Sequence, residues 1–308
     1  MNKRIGKNLL SEEEEGIFVI KSFFKGIYTK IFIIKNGSDV LIIDSGILSS
    51  FSMIKEVLNK IKYRNIFIIN THSHWDHIGS NCLLKREYNC LIMGHFNGLE
   101  YFANSWTQWE EHYNKKEYVI KPTLYDKKVF FKEFKEGVSL DILLTNNEII
   151  NINNNRYQII HTPGHSSCSI IIYNLDSKYL YSGDVLSGNG VNNGIVFVDN
   201  FDEYLNSLSL IKELKINKLF SSHFKVKRGI EINKFVDTSL NELLNYEKII
   251  MELIKNNEKL SLMDLINEFE NIAGKKKNIF LESSIRKIIL SLIKNDFISK
   301  EKSILLSN

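Results

Sequence analysis

Apolar and polar positions alternate in short runs along the first third of the chain. The runs that are rich in β-branched and aromatic residues lie at 16–24, 28–34 and 40–43. Turn signals at Lys25-Gly26 and Asn36-Gly37 separate them, so the pattern predicts an antiparallel meander. Apolar positions at helical spacing then predict an amphipathic helix over 50–61, and the apolar run 66–69 predicts a buried strand.

Strands and helices alternate along the middle of the chain. We expect helices over 80–87 and 202–214, and strands over 90–93, 139–143, 148–152, 156–160, 169–173, 178–181 and 218–220. The strands from 139 onward repeat the lengths and alternation of the first third, so they predict a second β-rich set. This organisation is typical of an α/β protein with two similar halves.

An aromatic-rich segment at 95–138 interrupts this alternation and predicts an insertion of two or three helices. Aromatic residues at helical spacing are typical of a packed core, which is the interpretation we favour. A lid over an apolar acyl group of a substrate is the alternative. His95 and His112 have no neighbouring ligand residues in this segment, so we interpret both as structural.

The last part of the chain, 225–308, changes in composition and predicts helices. We expect three of them, over 239–254, 260–269 and 281–295, and a terminal hairpin formed by 297–299 and 303–306. Ser261, followed three residues later by Asp264, predicts a capping box at the start of the second helix. We therefore predict a catalytic domain at 1–224 and a small helical unit at 225–308.

Composition restricts the class of protein without selecting a partner. The 308 residues are 44% hydrophobic, and 40 basic against 36 acidic residues give a net charge of +4, which permits nucleic acid as a partner but does not imply it. Cys82, Cys90 and Cys168 lack metal-type or disulfide spacing. Neither an apolar signal core nor a run of membrane-spanning length is present in the sequence. We predict a cytoplasmic, globular enzyme without a membrane partner.

The strongest chemical signal is the segment 71–79, THSHWDHIG, which follows the predicted strand 66–69 directly. Three imidazoles, His72, His74 and His77, and the carboxylate of Asp76 fall within six residues. Neutral imidazole and carboxylate ligands suit zinc and neighbouring divalent metals, whereas magnesium or calcium sites consist mostly of oxygen. The alternative is a His-rich surface loop without function. Further His and Asp residues at suitable positions later in the sequence argue against it.

Other predicted strands also end at residues that can bind a metal. These residues are Asp44, His165, Asp184 and His223. Because side chains at the ends of neighbouring strands converge outside the sheet, we expect them to join the histidines of 71–79. Packing does not require such residues at five separate strand ends.

Asp44 and two neighbours of the predicted ligands, His161 and Gly183, carry separate interpretations. Asp44 serves either as a turn or helix cap or as support for a metal-ligating histidine. His161 lies on the strand side of the Pro163-Gly164 turn and is a weaker candidate than His165. We expect Gly183 to let the backbone pass close to a metal.

The HxHxDH block with its ordered partners resembles the metallo-β-lactamase superfamily over about residues 16–224. The resemblance implies a four-layer αβ/βα sandwich with two metals, most simply two Zn²⁺, with iron or manganese as alternatives. It implies His72, His74 and His165 as ligands of the first metal, Asp76, His77 and His223 as ligands of the second, and Asp184 as a bridge. Asp76 and Asp184 would then take part in catalysis, in which a metal-bridging hydroxide is the nucleophile.

The same resemblance implies hydrolysis of a small thioester, ester or lactone, with cations at Lys225, Lys227 and Arg228 available to an acidic substrate. The alternative is a metal-dependent ribonuclease or phosphodiesterase of the lactamase-B2-like type, because the predicted C-terminal unit resembles a winged helix. That unit carries 15 basic and 12 acidic residues, a small excess for a nucleic-acid module. We favour an appendage that packs, dimerises or helps wall the active site. A non-catalytic metal sensor is a third alternative.

Overall fold

The computed structural model describes residues 9–24, 26–35, 37–257 and 260–298. The strands of the described residues are β1 (Leu10–Glu14), β2 (Ile17–Phe24), β3 (Ile27–Lys35), β4 (Val40–Ile43), β5 (Ile66–Ile69), β6 (Leu91–His95), β7 (Ile142–Leu144), β8 (Ile149–Ile152), β9 (Asn155–His161), β10 (Ile170–Asn174), β11 (Tyr179–Gly183), β12 (Lys218–Ser221) and β13 (Lys227–Arg228). The α-helices are α1 (Phe51–Leu58), α2 (Trp75–Ile78), α3 (Asn81–Tyr88), α4 (Leu99–Ala103), α5 (Ser105–His112), α6 (Leu124–Glu133), α7 (Phe201–Lys212), α8 (Ile230–Asn256), α9 (Leu262–Ala273) and α10 (Ile279–Lys294).

The strands form two sheets that repeat one plan. The first sheet keeps chain order from β1 to β7, with antiparallel pairs up to β4 and parallel pairs from β4 to β7. In the second sheet, β8 to β11 pair antiparallel, β11 pairs parallel with β12, and β13 completes the edge. Each half therefore begins as an antiparallel meander and continues with parallel pairing, three pairs in the first sheet and one in the second, which places the carboxyl ends of β4 and β5, and of β11 and β12, side by side.

The two sheets pack face to face and helices cover their outer faces. Phe32 from the first sheet contacts Tyr181 and Phe220 from the second, with ring centroids 5.3 and 5.5 Å apart. On the other face of the first sheet, buried Ile54 of α1 and Leu84 of α3 join one apolar cluster. Helices α7 to α10 cover the outer face of the second sheet and share a second apolar cluster with it. The predicted four-layer αβ/βα sandwich is confirmed.

Two strands differ from the expectations. The acidic run 11–15 was not predicted as a strand, yet β1 lies at the edge of the first sheet, where Glu14 contacts the ammonium of buried Lys218 and the guanidinium of Arg228. Strand β7 was assigned to the second β-rich set, but it pairs parallel with β6, with Met93 opposite Ile142. A single short strand at the junction of the two halves gives no periodicity that would tell the sheets apart.

The insertion contains α4, α5 and α6, as the aromatic pattern predicted. Phe102, Trp109, Phe130 and Phe134 are buried in one cluster, which agrees with the favoured core interpretation. Tyr113, directly after α5, instead lines a cavity at the candidate site described below. The segment therefore provides both a packed core and part of the wall of that cavity.

The C-terminal helices share an apolar core with the second sheet. Leu243 of α8 and Leu281 of α10 belong to the same buried cluster as Ile171 and Leu219 of the sheet. Ser261 caps α9, because its hydroxyl accepts a hydrogen bond from the backbone N–H of Asp264 at 3.1 Å. The Asp264 carboxylate accepts from the Ser261 hydroxyl, so of the predicted capping box the structure shows the Ser261 half. Helix α8 begins at Ile230, well before the predicted start.

Most of the predicted terminal hairpin, apart from 297 and 298, lies outside the described residues. The winged-helix assignment and the division at 224/225 therefore stay predictions. Among the residues that the structure describes, none of the helices has the length and apolar character needed to cross a bilayer.

Candidate metal centre

Five strand ends bring the predicted residues together. Asp44 follows β4, the segment 71–79 follows β5, Asp184 follows β11, and His223 lies just beyond β12. The fifth, His165, follows β9 after the Pro163-Gly164 turn. Since parallel strands end at one edge of their sheet, all of these side chains meet at the rim between the two sheets.

Three imidazole nitrogens face one another on one side of the centre. His72 Nε2 lies 3.0 Å from His74 Nδ1, which in turn lies 3.1 Å from His165 Nε2. The carboxylate of Asp184 borders the group, with Oδ2 3.7 Å from His165 Nε2 and 4.0 Å from His72 Nε2. Together the three histidines offer nitrogen donors to a single cation.

A second group lies on the other side of Asp184. His77 Nε2 lies 3.4 Å from Asp184 Oδ1 and 3.5 Å from Asp76 Oδ2. His223 Nε2 lies 3.0 Å from Asp184 Oδ2. The Asp76 carboxylate is held by Thr29, whose hydroxyl donates to Oδ2 at 2.7 Å. Asp184 therefore stands between both groups, and Asp76, His77 and His223 can hold a cation of their own.

Asp44 is buried and supports this centre from behind. Its Oδ2 accepts from His77 Nδ1 at 2.8 Å, and its Oδ1 accepts from the backbone N–H of Thr71 at 2.8 Å. The Thr71 hydroxyl also donates to Asp44 and lies 3.0 Å from His72 Nδ1. The next helical turn begins only at Leu48, so the structure favours support of histidines over helix capping.

The histidine rings are oriented by acceptors on their outer edges. His165 Nδ1 lies 3.2 Å from the carbonyl oxygen of Phe197, and His223 Nδ1 lies 2.7 Å from that of Tyr28. A carbonyl can only accept, so this network assigns the proton to Nδ1 in both rings. The Nε2 lone pairs then point into the centre, as a metal-binding tautomer requires.

Electrostatics separate the buried groups into two kinds. Burial, helped by neighbouring histidines, lowers the pKa of His72 and His74 well below the ordinary value, so both are neutral at pH 7. Burial is the largest single effect on the pKa of His77 and His223 and lowers it, but the surrounding carboxylates, Asp184 foremost, together outweigh burial and raise both pKa values. The pKa of Asp184 is low because the two imidazoles outweigh the opposing effect of burial. A divalent cation would take the place of the protons that these rings otherwise hold.

The donor set fits divalent cations. His77 Nε2 and Asp184 Oδ1 are buried, and neither has a hydrogen-bond partner within the described part of the chain. Leaving two buried polar atoms without a partner costs free energy of folding unless a cation or another group binds them. Nitrogen and carboxylate oxygen donors in this ratio suit zinc and the neighbouring transition metals.

Two glycines permit the close backbone approaches at this rim. A Cβ at Gly183, where φ is +53°, would lie 2.7 Å from the side chain of Thr71. The close approach that this glycine permits in the structure is to Thr71, which supports the histidines, and the expected approach to a metal stays a prediction. A Cβ at Gly164, where φ is +126°, would lie 2.3 Å from Cα of Tyr204, so the turn that presents His165 depends on this glycine.

The sequence itself identifies the family of this centre. The family model described as "Metallo-beta-lactamase superfamily" matches residues 26–223, well over half of the chain. The chain belongs to the metallo-β-lactamase superfamily. Its candidate ligands therefore make it a metallo-hydrolase, in which the His and Asp groups can bind divalent metal.

Curated relatives and solved structures agree with this assignment. A hydroxyacylglutathione hydrolase from Pelagibacter ubique is 25% identical over 66% of this chain and 71% of that relative. An acyl-coenzyme A thioesterase from Homo sapiens is 23% identical over 68% of this chain and 78% of that relative. The crystal structure of a metallo-beta-lactamase family protein from Thermus thermophilus superposes with a TM-score of 0.72 at 13% identity, covering 94% of this chain and 96% of that one. At that identity it shows the fold alone.

Two further histidines of this superfamily member stack away from the metal centre. The rings of His95 and His161 lie parallel, 3.9 Å apart and inclined by 7°. His161 Nε2 lies 2.9 Å from the carbonyl oxygen of Ser167. This packing agrees with the structural interpretation of His95 and with the lower rank given to His161.

Replacing His95 by glutamine is expected to make stability less sensitive to acid. Burial, with a smaller effect of His161, lowers the pKa of His95 from 6.5 to about 4. A folded-state pKa below the unfolded value costs stability as pH falls from about 6.5 to about 4, here on the order of 1 kcal/mol at pH 5. The drop in melting temperature between about pH 7.5 and pH 5 should be smaller for His95→Gln than for the wild type; equal drops would contradict the assignment.

His112 lies nearer the centre than the sequence indicates. Its ring centroid is 5.6 Å from that of His74, and its side chain borders the cavity above the metal ligands. His112 Nε2 is buried without a hydrogen-bond partner among the described residues, and burial lowers its pKa to about 4. The insertion folds back over the site, a long-range contact for which the sequence carries no signal.

The centre opens into a cavity of about 280 Å³ whose walls are mostly apolar. The apolar side chains that line it are Phe24, Ile27, Trp75, Tyr113, Val191, Ile195, Phe197 and Phe280. Asn278 and Phe280, at the start of α10, close one side. The C-terminal part of the chain therefore walls the site, in line with the interpretation favoured for it.

Proposed function

We propose that this protein is a dinuclear zinc hydrolase of small thioesters, with esters and lactones as related substrates and iron or manganese as alternative metals. The observation that carries the proposal is the Asp184 carboxylate standing between two His/Asp groups at the floor of an apolar cavity. The similarity to a hydroxyacylglutathione hydrolase and to an acyl-coenzyme A thioesterase supports the choice of thioesters.

The ligand groups define where each cation would bind. His72, His74 and His165 would hold one, and Asp76, His77 and His223 the other, with Asp184 between them. Bound there, divalent cations would supply a water of lowered pKa and polarise the scissile carbonyl.

The chain's own groups do the positioning. Thr29 fixes the Asp76 carboxylate, and Asp44 fixes the His77 ring. With cations bound, the Asp76 and Asp184 carboxylates would lie where they can accept hydrogen bonds from the attacking water and so orient its lone pair towards the carbonyl carbon. The apolar walls formed by Trp75, Phe197 and neighbouring side chains exclude bulk water around the reacting atoms.

A polar pocket beside the centre can take a charged leaving group. It measures about 280 Å³, adjoins the metal-side cavity at His223, and is lined by Asn192, Lys225 and Lys227. The two ammonium groups favour an acidic thiol, which carries carboxylates or phosphates, over a neutral one. Two of the three cations that the sequence suggested, Lys225 and Lys227, support this proposal, whereas Arg228 does not line the pocket and contacts Glu14 instead.

Removing both ammonium groups should weaken binding of acidic thioesters. For Lys225→Ala/Lys227→Ala we expect the KM for an acyl-glutathione or acyl-coenzyme A to rise about 5- to 10-fold, since two partly exposed ion pairs are lost. An acyl thioester of N-acetylcysteamine, which is neutral, should be turned over as by the wild type. Lys234→Ala on α8 is the matched control. An equal KM change for acidic and neutral thiols would contradict a charge-reading pocket.

The ribonuclease alternative finds less support at this site. Phosphodiester backbones call for a basic, polar groove, whereas the metal-side cavity is lined by aromatic and aliphatic side chains. The small basic excess of 225–308 supplies no strong basic face.

The buried free thiols of Cys82, Cys90 and Cys168 favour a reducing compartment, which supports a cytoplasmic location.

A substrate panel tests the proposed function. Metal-loaded protein would be assayed against acyl thioesters, aryl esters, lactones, a β-lactam, a phosphodiester and single-stranded RNA. We expect turnover of thioesters, weaker turnover of esters or lactones, and none of RNA. Cleavage of RNA or the phosphodiester without thioester hydrolysis would replace the proposal by its alternative.

A further inference from the structure

We propose that a second, outer cavity next to the metal centre receives an extended apolar acyl chain, so that the substrates are medium-length aliphatic acyl thioesters. The proposal rests on the proposed function and narrows its substrate class. The outer cavity measures about 400 Å³, within the usual size range of small-molecule sites.

The outer cavity adjoins the metal-side cavity. Both are bordered by the same six residues, Phe24, Ile27, Trp75, Tyr113, Asn278 and Phe280. A substrate whose carbonyl lies at the metal ligands can therefore extend past these side chains into the outer space. The polar pocket adjoins the centre through other residues, Val191 and His223, with Ile27 bordering all three spaces. The two ends of a substrate would thus enter surroundings of opposite polarity.

The outer cavity offers little to a polar group. Its lining includes Trp109, Ile120, Pro122, Val129 and Phe130. The few polar atoms near it are used within the protein. Trp75 Nε1 donates to the hydroxyl of Tyr113 at 2.6 Å, and Asn278 Oδ1 accepts from the backbone N–H groups that open α10.

The charged side chains at its border are also engaged. Lys121 Nζ donates to the carbonyl oxygens of Lys115 and Lys116 at 2.9 Å, and Lys277 Nζ donates to Asn267 Oδ1 at 3.0 Å. An acyl chain without polar substituents matches this lining, because burying an unpaired polar group there would cost free energy.

A buried polar contact holds the two walls of the outer cavity together. Glu282 of α10 has 0% exposure, and its carboxylate accepts from the backbone N–H groups of Val119 and Ile120 at 2.8 and 2.7 Å. Arg286 Nε donates to the same carboxylate at 3.0 Å, and Tyr118 donates to the Ser283 hydroxyl at 2.7 Å. The insertion and the C-terminal helix are therefore fixed to each other, and the two walls of the outer cavity keep a defined separation.

Binding of the acid product tests whether the outer cavity receives an acyl chain, and it requires no turnover. Calorimetry on the metal-loaded protein would compare decanoate with butyrate, which share the carboxylate and differ in chain length. Each buried methylene strengthens binding about four-fold, so we expect decanoate to bind at least about 30-fold more tightly. Equal affinities would overturn the proposal.

Filling the outer cavity tests its location. Val129 lies on α6 and lines the outer cavity but not the metal-side cavity, so Val129→Trp should lower the ratio of kcat/KM for decanoyl over butyryl thioester at least about 10-fold, in parallel with the loss of decanoate affinity. Lys128→Trp, the exposed neighbour on the same helix, is the matched control and should keep the wild-type ratio. Val129→Ala, which enlarges the space with little risk to folding, should shift the preference towards longer chains. An unchanged ratio in both Val129 variants would overturn the proposal.

The outcomes separate this proposal from the one on which it rests. Thioester hydrolysis with no chain-length preference would retain the proposed function and overturn the proposal that the outer cavity receives the acyl chain. Tight, Val129-dependent binding of decanoate without hydrolysis of any thioester would retain the outer cavity as an acyl-chain site and overturn the thioesterase function.

Discussion

Asp184→Asn is expected to abolish hydrolysis while leaving the fold intact. The carboxylate of Asp184 faces both ligand groups, with Oδ1 3.4 Å from His77 Nε2 of one group and Oδ2 3.7 Å from His165 Nε2 of the other. The amide has the same shape but loses the charge and one acceptor, so cations on both sides lose a shared ligand. We expect kcat to fall at least about 10³-fold and metal content to fall with it.

Metal content and circular dichroism of the variant should be measured beside kcat. Asp176→Asn is the matched control, because this exposed carboxylate pairs with Arg156 in the same half of the molecule, away from the centre. It should keep wild-type metal content and activity. Wild-type turnover by Asp184→Asn would contradict the assignment of a shared ligand.

His74→Ala is expected to remove the cation of the three-histidine group. The lost Nδ1 lies 3.0 Å from His72 Nε2 and 3.1 Å from His165 Nε2, so two nitrogens remain where three converged. Activity should fall about 10²- to 10³-fold, since metal affinity depends on the full ligand count. The free energy of unfolding of the metal-free protein should change by less than about 1 kcal/mol, because a side chain at the rim contributes few core contacts.

His161→Ala provides the comparison for His74→Ala. His161 is also a histidine beside a strand end, but its ring stacks on His95 and contacts no candidate ligand. Its loss should leave metal content and kcat near wild type. If His74→Ala kept a full metal complement and its activity, the first ligand group would be wrong.

The centre was predictable from sequence because its residues follow strands. Asp44, the 71–79 segment, Asp184 and His223 each come at the carboxyl end of an apolar run, and the parallel pairs β4–β5 and β11–β12 place those ends side by side. The imidazole and carboxylate ligands then indicate which metals fit. Neighbouring strand ends converge by geometry, so local patterns sufficed to predict that these residues meet.

The substrate walls were not predictable in the same way. Phe280 reaches the site because α10 packs over the second sheet, and His112 reaches it because the insertion folds back on the loop after β5. Neither contact leaves a trace in local periodicity. Strand β1 escaped prediction for a related reason, because its Glu14 pairs with distant Lys218 and Arg228. Edge strands with polar partners lack the apolar alternation that marks a half-buried strand.

Metal content measured together with thioester hydrolysis tests the two-cation centre most directly. The protein would be purified without chelators, its metals quantified by mass spectrometry, and its activity followed during stepwise removal and return of zinc. The proposed centre predicts about two equivalents of divalent metal per chain, activity lost on removal and restored as both sites refill. Full thioester hydrolysis by metal-free protein, or full activity with one equivalent bound, would contradict it.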